Sequence, residues 1–146
     1  MHYEIVMLPE KIVVGVSAIT GNNDPHMGKI IGGLWETLYQ GGVNAAINNK
    51  VNQYAIGLYS DYAGDSYCVT AGNEVSKAEN PELTVKIIPA GKYAKFSIHG
   101  HMERAVAQAW GEIWQMDLPR GFTGDFEEYL SCDVENCDID LYVALR

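Results

Sequence analysis

Apolar residues alternate with polar or small ones in short runs along most of the chain, and twice the spacing turns helical. Runs at 3–8 and 12–19, rich in Ile and Val and parted by Pro9-Glu10-Lys11, predict two strands. Met27, Ile31, Leu34 and Leu38 then recur at helical spacing and predict a helix from Pro25 to about Gln40. Asp24 is its expected N-cap, Pro25 its first residue, and Gly41-Gly42 its stop. An asparagine-rich loop follows, and 54–62 with 66–71 predict a hairpin around Ala63-Gly64-Asp65. Beyond a polar link at 72–81, two more strands are expected at 83–88 and 92–98, broken at Pro89-Ala90-Gly91. A second helix at 102–116 carries Met102, Val106, Ala109 and Ile113 on one face and ends at Leu118-Pro119. Strands at 125–131 and 138–145 close the chain.

The order strand, strand, helix, strand, strand occurs twice, in halves of about 1–73 and 82–146. Pro9 and Ser17 match Pro89 and Ser97; Trp35, Leu38 and Tyr39 match Trp110, Ile113 and Trp114. Gly57 and Tyr59 correspond to Glu127 and Tyr129. The expected architecture is one α+β domain over 1–146, a duplicated β-α-β-β motif of antiparallel sheets with two helices around a central ligand groove.

Strand alternation assigns the faces. Ile139, Leu141, Val143 and Leu145 share one side of the last strand, taken as the helix-covered core, and Phe126 and Leu130 are grouped with them. Glu127, Tyr129 and Tyr142, with Tyr59 from the first half, then fall on the opposite, groove side. A carboxylate walled by aromatic rings suits a lipophilic cation, each desolvated ring adding about 0.5–2 kcal/mol. Burial without a partner would raise the Glu127 pKa. The same alternation also accommodates Glu127 and Glu128 as surface residues of an edge strand, and tryptophans at helical spacing as plain core.

Composition narrows the field. Net charge is −9, from 10 basic and 19 acidic side chains, a surface that repels a phosphate backbone and argues against direct nucleic-acid binding. No apolar run approaches the ~20 residues of a membrane span, and the N-terminus lacks signal-peptide features, so a cytoplasmic location is expected. Cys68, Cys132 and Cys137 form no C-x-x-C, and His99 and His101 read as a solvated turn, so neither a metal nor a cofactor is expected. No Ser-His-Asp or Cys-His spacing is recognisable, which leaves a carboxylate as the one defensible catalytic group.

The opening YEIVMLPEKIVVGV, the segment PAGKYAKFSIHG, AWGEIW followed by Leu-Pro and a glycine, and DFEEY before DIDLYVAL together resemble the GyrI-like small-molecule-binding family, the effector-binding domain of AraC- and MerR-type transcription regulators. The likeness covers nearly the whole chain, and Phe126-Glu127-Glu128-Tyr129 matches the family's signature. Departures are Leu141-Tyr142-Val143-Ala144 in place of a tyr-ile-pro pattern and Arg120-Gly121 in place of Ser-Gly, both expected to reshape the rim.

The resemblance implies a groove in which Glu127 meets cationic or amphipathic compounds, with Tyr142 as a pocket aromatic and Tyr59, Trp110 and Tyr93 as further lining. Both termini are taken up by strands, so the chain reads as a standalone binder of hydrophobic, cationic small molecules rather than an enzyme. Such a binder could report to a protein partner or act in transcription regulation; its oligomeric state, monomer or dimer, stays open. The alternative is a hydrolase of electrophilic compounds with Glu127 as general base. A third reading is an inhibitor of a DNA enzyme such as gyrase.

Overall fold

The computed structural model describes residues 1–146. In chain order the elements are β1 (Glu4–Leu8), β2 (Lys11–Gly21), α1 (Met27–Tyr39), α2 (Val43–Ala46), β3 (Lys50–Ala63) and β4 (Ser66–Val75). The second half follows as β5 (Thr84–Ile88), β6 (Gly91–Gly100), α3 (Met102–Ile113), β7 (Asp125–Tyr129) and β8 (Cys137–Ala144). All eight strands form one sheet, in the order β1-β6-β8-β7-β3-β4-β2-β5, and every pairing is antiparallel.

That order is a palindrome of the two repeats: β7 stands for β3, β8 for β4, and β6 for β2. The outermost strands are exchanged. β1 pairs with β6 of the second half, and β5 pairs with β2 of the first. Each half therefore completes the other's sheet. β3 and β7 pair at the centre, with Gly57 opposite Glu127.

Around its centre the sheet is buried on both faces, and this corrects the face assignment. Antiparallel register sets Phe126 opposite Tyr142 and Glu127 opposite Leu141. Directly paired residues share a face. Glu127 therefore lies on the helix side with Leu141, while Phe126 and Tyr142 lie on the other. On the helix side, α3 covers Phe96, Ile139, Leu141 and Val143, and α1 covers Val14, Ala71 and Val75. On the far side the sheet curls, and Val13, Ile56, Leu58, Ile88, Phe126 and Tyr142 pack into a third core fed from both halves. Alternation cannot tell inside from outside where both sides of a strand are apolar. The groove is thus on the helix side, between α1 and α3.

Local signals differ in detail. α1 starts at His26 without a side-chain cap. Asp24 instead closes the preceding turn, its carboxylate accepting from the His26 amide and the Thr20 hydroxyl, both at 2.8 Å. His101, expected in a solvated turn, is the N-cap of α3: its Nδ1 accepts from the amides of Glu103 and Arg104. The short helix α2 occupies part of the expected asparagine loop. α3 and β7 are shorter than their patterns suggested.

Candidate functional site

Between the two helices, over the β3–β7 seam, the chain encloses a cavity of about 1110 Å³. α1 contributes Met27, Ile31 and Trp35, and between them Gly28 and Gly32. α3 contributes Met102, Val106 and Trp110. The floor is Tyr59, Tyr67, Glu127 and Tyr129. Trp35 meets Tyr129 edge-on at 5.2 Å, and Tyr59 meets both Trp110 and Tyr67 edge-on at 5.7 Å. This edge-to-face contact fixes the orientation of each ring.

Glu127 is 1% exposed. Trp110 Nε1 donates to its Oε2 at 2.8 Å, and the Tyr129 hydroxyl donates to its Oε1 at 2.7 Å. The Tyr59 hydroxyl lines the same cavity and also favours the ionised carboxylate. Burial pushes the carboxyl above its ordinary value, and Trp110, Tyr129 and Tyr59 pull it back by favouring the anion. The hydroxyls of Tyr59 and Tyr129 are driven well up, first by burial and then by the neighbouring carboxylate, so both stay protonated. No Lys or Arg of the chain forms an ion pair with Glu127. The site is a carboxyl group dressed in aromatic donors with no protein counter-charge.

The one Lys or Arg lining the cavity, Arg120, is already paired. Its Nη2 donates to Asp125 Oδ2 at 2.6 Å, and the Tyr62 hydroxyl donates to the same oxygen at 2.5 Å. Asp125 is fully buried, and its Oδ1 accepts from the Ala144 amide at 2.8 Å. The arginine also lies over the Phe122 ring at 4.3 Å and the Trp110 ring at 5.8 Å.

Of the residues expected in the groove, Glu127, Tyr59, Tyr129 and Trp110 are brought together around the cavity. Tyr142 and Tyr93 are not. Tyr142 lies on the opposite face and stacks on Phe126 at 4.5 Å. Tyr93 packs in that same core and donates its hydroxyl to the Pro89 carbonyl at 2.6 Å. Both corrections follow from the register that separates Tyr142 from Glu127. Sequence reasoning missed Trp35, Tyr62, Tyr67 and Arg120 as lining residues. The repeat offered a signal for Trp35, the counterpart of Trp110. Tyr62 carried none, because a bulge at Asp61 (φ 52) shifts the alternation and brings Tyr62 to the same side as Tyr59.

The chain holds no group of three or more His, Cys, Asp or Glu placed to bind a metal. No helix is long and apolar enough to cross a membrane.

Among solved structures, SAV2435 bound to tetraphenylphosphonium superimposes with a TM-score of 0.82 at 19% identity, covering 100% of this chain and 94% of that one. A putative bacterial transcription regulation protein from Staphylococcus aureus gives 0.75 at 21% identity, covering 99% of each chain. At these identities the likeness shows the fold. The integron cassette protein VCH_CASS2 from the mobile metagenome of Vibrio cholerae gives 0.79 at 28% identity, covering 99% of this chain and 95% of that one. A comparison with curated proteins finds no match. The family model of Cass2, the integron-associated effector binding protein, matches residues 4–145, and the chain belongs to that GyrI-like family.

Proposed function

We propose that this protein captures multi-ring lipophilic cations, with Glu127 as their counter-ion. The carrying observation is the carboxylate itself: buried, held by indole and phenol donors, and lacking a cation of its own. A buried anion is costly unless something pairs it. A bound cation would do so while its rings meet the walls of a mostly apolar cavity, where each contact strengthens as water leaves. SAV2435, which shares the fold, has been solved with tetraphenylphosphonium. Both Glu127 oxygens are engaged by donors, which suits a fixed counter-ion better than a base abstracting a proton from water. Capture of this kind would sequester a toxic compound or report it to a separate regulatory chain.

The test is a tryptophan-fluorescence titration with tetraphenylphosphonium and with neutral triphenylphosphine oxide, on wild type and Glu127→Gln. Cation-selective binding that the variant loses by about 100-fold, as for a desolvated charge contact, is the expected result. Equal binding of both compounds, or equal binding by both proteins, would sink the reading.

A further inference from the structure

The cavity has a second pole. Trp110 donates from its ring nitrogen to Glu127, while the Arg120 guanidinium sits 5.8 Å from the centre of the same indole. The two charged side chains thus flank one ring. They differ in what they have left to offer. Glu127 has spare charge and engaged oxygens. Arg120 has its charge balanced by Asp125 but its donors largely idle: Nη2 makes the guanidinium's one hydrogen bond within the chain. Nε is buried with no partner at all.

A buried donor without a partner costs about 1–3 kcal/mol and calls for an explanation. Here the donor belongs to a rigid fork that is fixed on three sides. Asp125 holds one nitrogen, Phe122 lies against the guanidinium at 4.3 Å, and Tyr62 shares the Asp125 oxygen. Asp125 itself does not line the cavity, whereas Arg120, Tyr62 and Phe122 do. Phe122 is 52% exposed and sits at φ 55, a backbone region that bulky residues seldom adopt. Arg120 and this exposed ring both line the cavity, so a ligand seated there lies beside the guanidinium.

We propose that Arg120 is a second polar anchor, donating to an acceptor oxygen on the bound cation. The preferred ligand is then a multi-ring cation that also carries a carbonyl or amide. This rests on the capture of cations at Glu127. Because Asp125 balances the arginine, an anion gains little here, and a cation in the same cavity is not repelled. A planar fork is suited to a carbonyl acceptor in a way a lysine ammonium is not.

The experiment compares tetraphenylphosphonium with (4-carbamoylphenyl)triphenylphosphonium, which has the same charge and core and one added amide. Titrations use wild type and Arg120→Lys, which keeps a cation beside Asp125. Wild type is expected to bind the amide probe about tenfold more tightly, as one hydrogen bond to a charged donor would give. Arg120→Lys should lose that preference and bind the two probes equally, whatever its affinity for tetraphenylphosphonium itself. Should the variant fail to fold, the Arg120 Nε–H resonance of the wild-type protein serves instead, moving with the amide probe and not with its parent. No preference in wild type, a preference that survives Arg120→Lys, or an unmoved Nε–H signal overturns the assignment of Arg120 alone. If wild type binds neither probe, the cation reading falls with it.

Discussion

Gly57 and Glu127 face each other across the central β3–β7 pair, and the glycine is what lets the carboxylate stand where it does. A Cβ on Gly57 would lie 2.9 Å from Glu127 Oε1 and 3.2 Å from the Trp35 ring. The two positions are equivalent in the repeat, so one half supplies charge and the other supplies room for it. Glu127 cannot simply rotate away, because Trp110 and Tyr129 hold both its oxygens. Gly57→Ala is therefore expected to weaken tetraphenylphosphonium binding by roughly tenfold or more, since a ~1 Å displacement of an oriented group is enough to lose it. Circular-dichroism melting should show the fold retained. Unchanged affinity would mean that the carboxylate has slack the geometry does not suggest.

Glu127 also sets a pH dependence whose sign is fixed by its raised pKa. A carboxyl that holds its proton more tightly folded than unfolded adds stability at low pH. That contribution is complete below the ordinary value of 4.5 and disappears as pH rises through the folded pKa. Without ligand, Glu127→Gln should thus melt higher than wild type at neutral pH, with the gap closing as pH falls toward 4.5. Cation affinity runs the other way, increasing as Glu127 ionises. Melting and binding measured over the same pH series check both signs. A gap that widens on acidification would refute the account.

The repeat, the element order and the importance of Glu127 could be read from the residues because each left a periodic or paired signal. The side of the sheet on which the groove lies could not. Phe126 and Leu141 are both apolar, and nothing in single-strand alternation reveals that the pairing of Glu127 with Leu141 puts them on opposite faces. Tyr142 falls outside the groove for that reason. The exchange of β1 and β5 left no local mark either, since a strand's partner is not encoded in its own alternation. Tyr62 was hidden by a bulge, and Arg120 by lying in a loop with no period to follow.

Buried Asp125, with the half-buried Arg120 and Tyr62, fixes the loop that bounds one end of the cavity. Asp125 is fully buried and takes three hydrogen bonds, from Arg120, Tyr62 and the Ala144 amide. Removing one partner of such a pair leaves the other charge desolvated, at a cost of about 3–5 kcal/mol. Asp125→Ala should lose that much in urea denaturation, whereas Tyr62→Phe, which deletes one neutral donor, should lose about 1 kcal/mol. Equal losses would show that the ion pair is not what holds the loop.

α1 sacrifices helix stability on its cavity side. Gly28 and Gly32, one turn apart, both line the cavity, and a Cβ on either would meet nothing within 4 Å. Gly33 also has open space around it but does not line the cavity. Glycine in a helix interior costs roughly 0.5–1 kcal/mol relative to alanine. Gly32→Ala and Gly33→Ala are therefore each expected to stabilise the protein by about that amount in thermal or urea unfolding, and Gly28→Ala, in the first turn, by less. Binding should separate them. Methyl groups at 28 and 32 project into the space a multi-ring cation would fill, so those two variants should bind tetraphenylphosphonium more weakly, and the double variant most weakly of all. Gly33→Ala should bind as wild type does. Stabilisation without any loss of affinity at 28 and 32 would place the ligand elsewhere in the cavity, away from α1. Loss of affinity at 33 as well would point to a need for a flexible helix rather than an open wall.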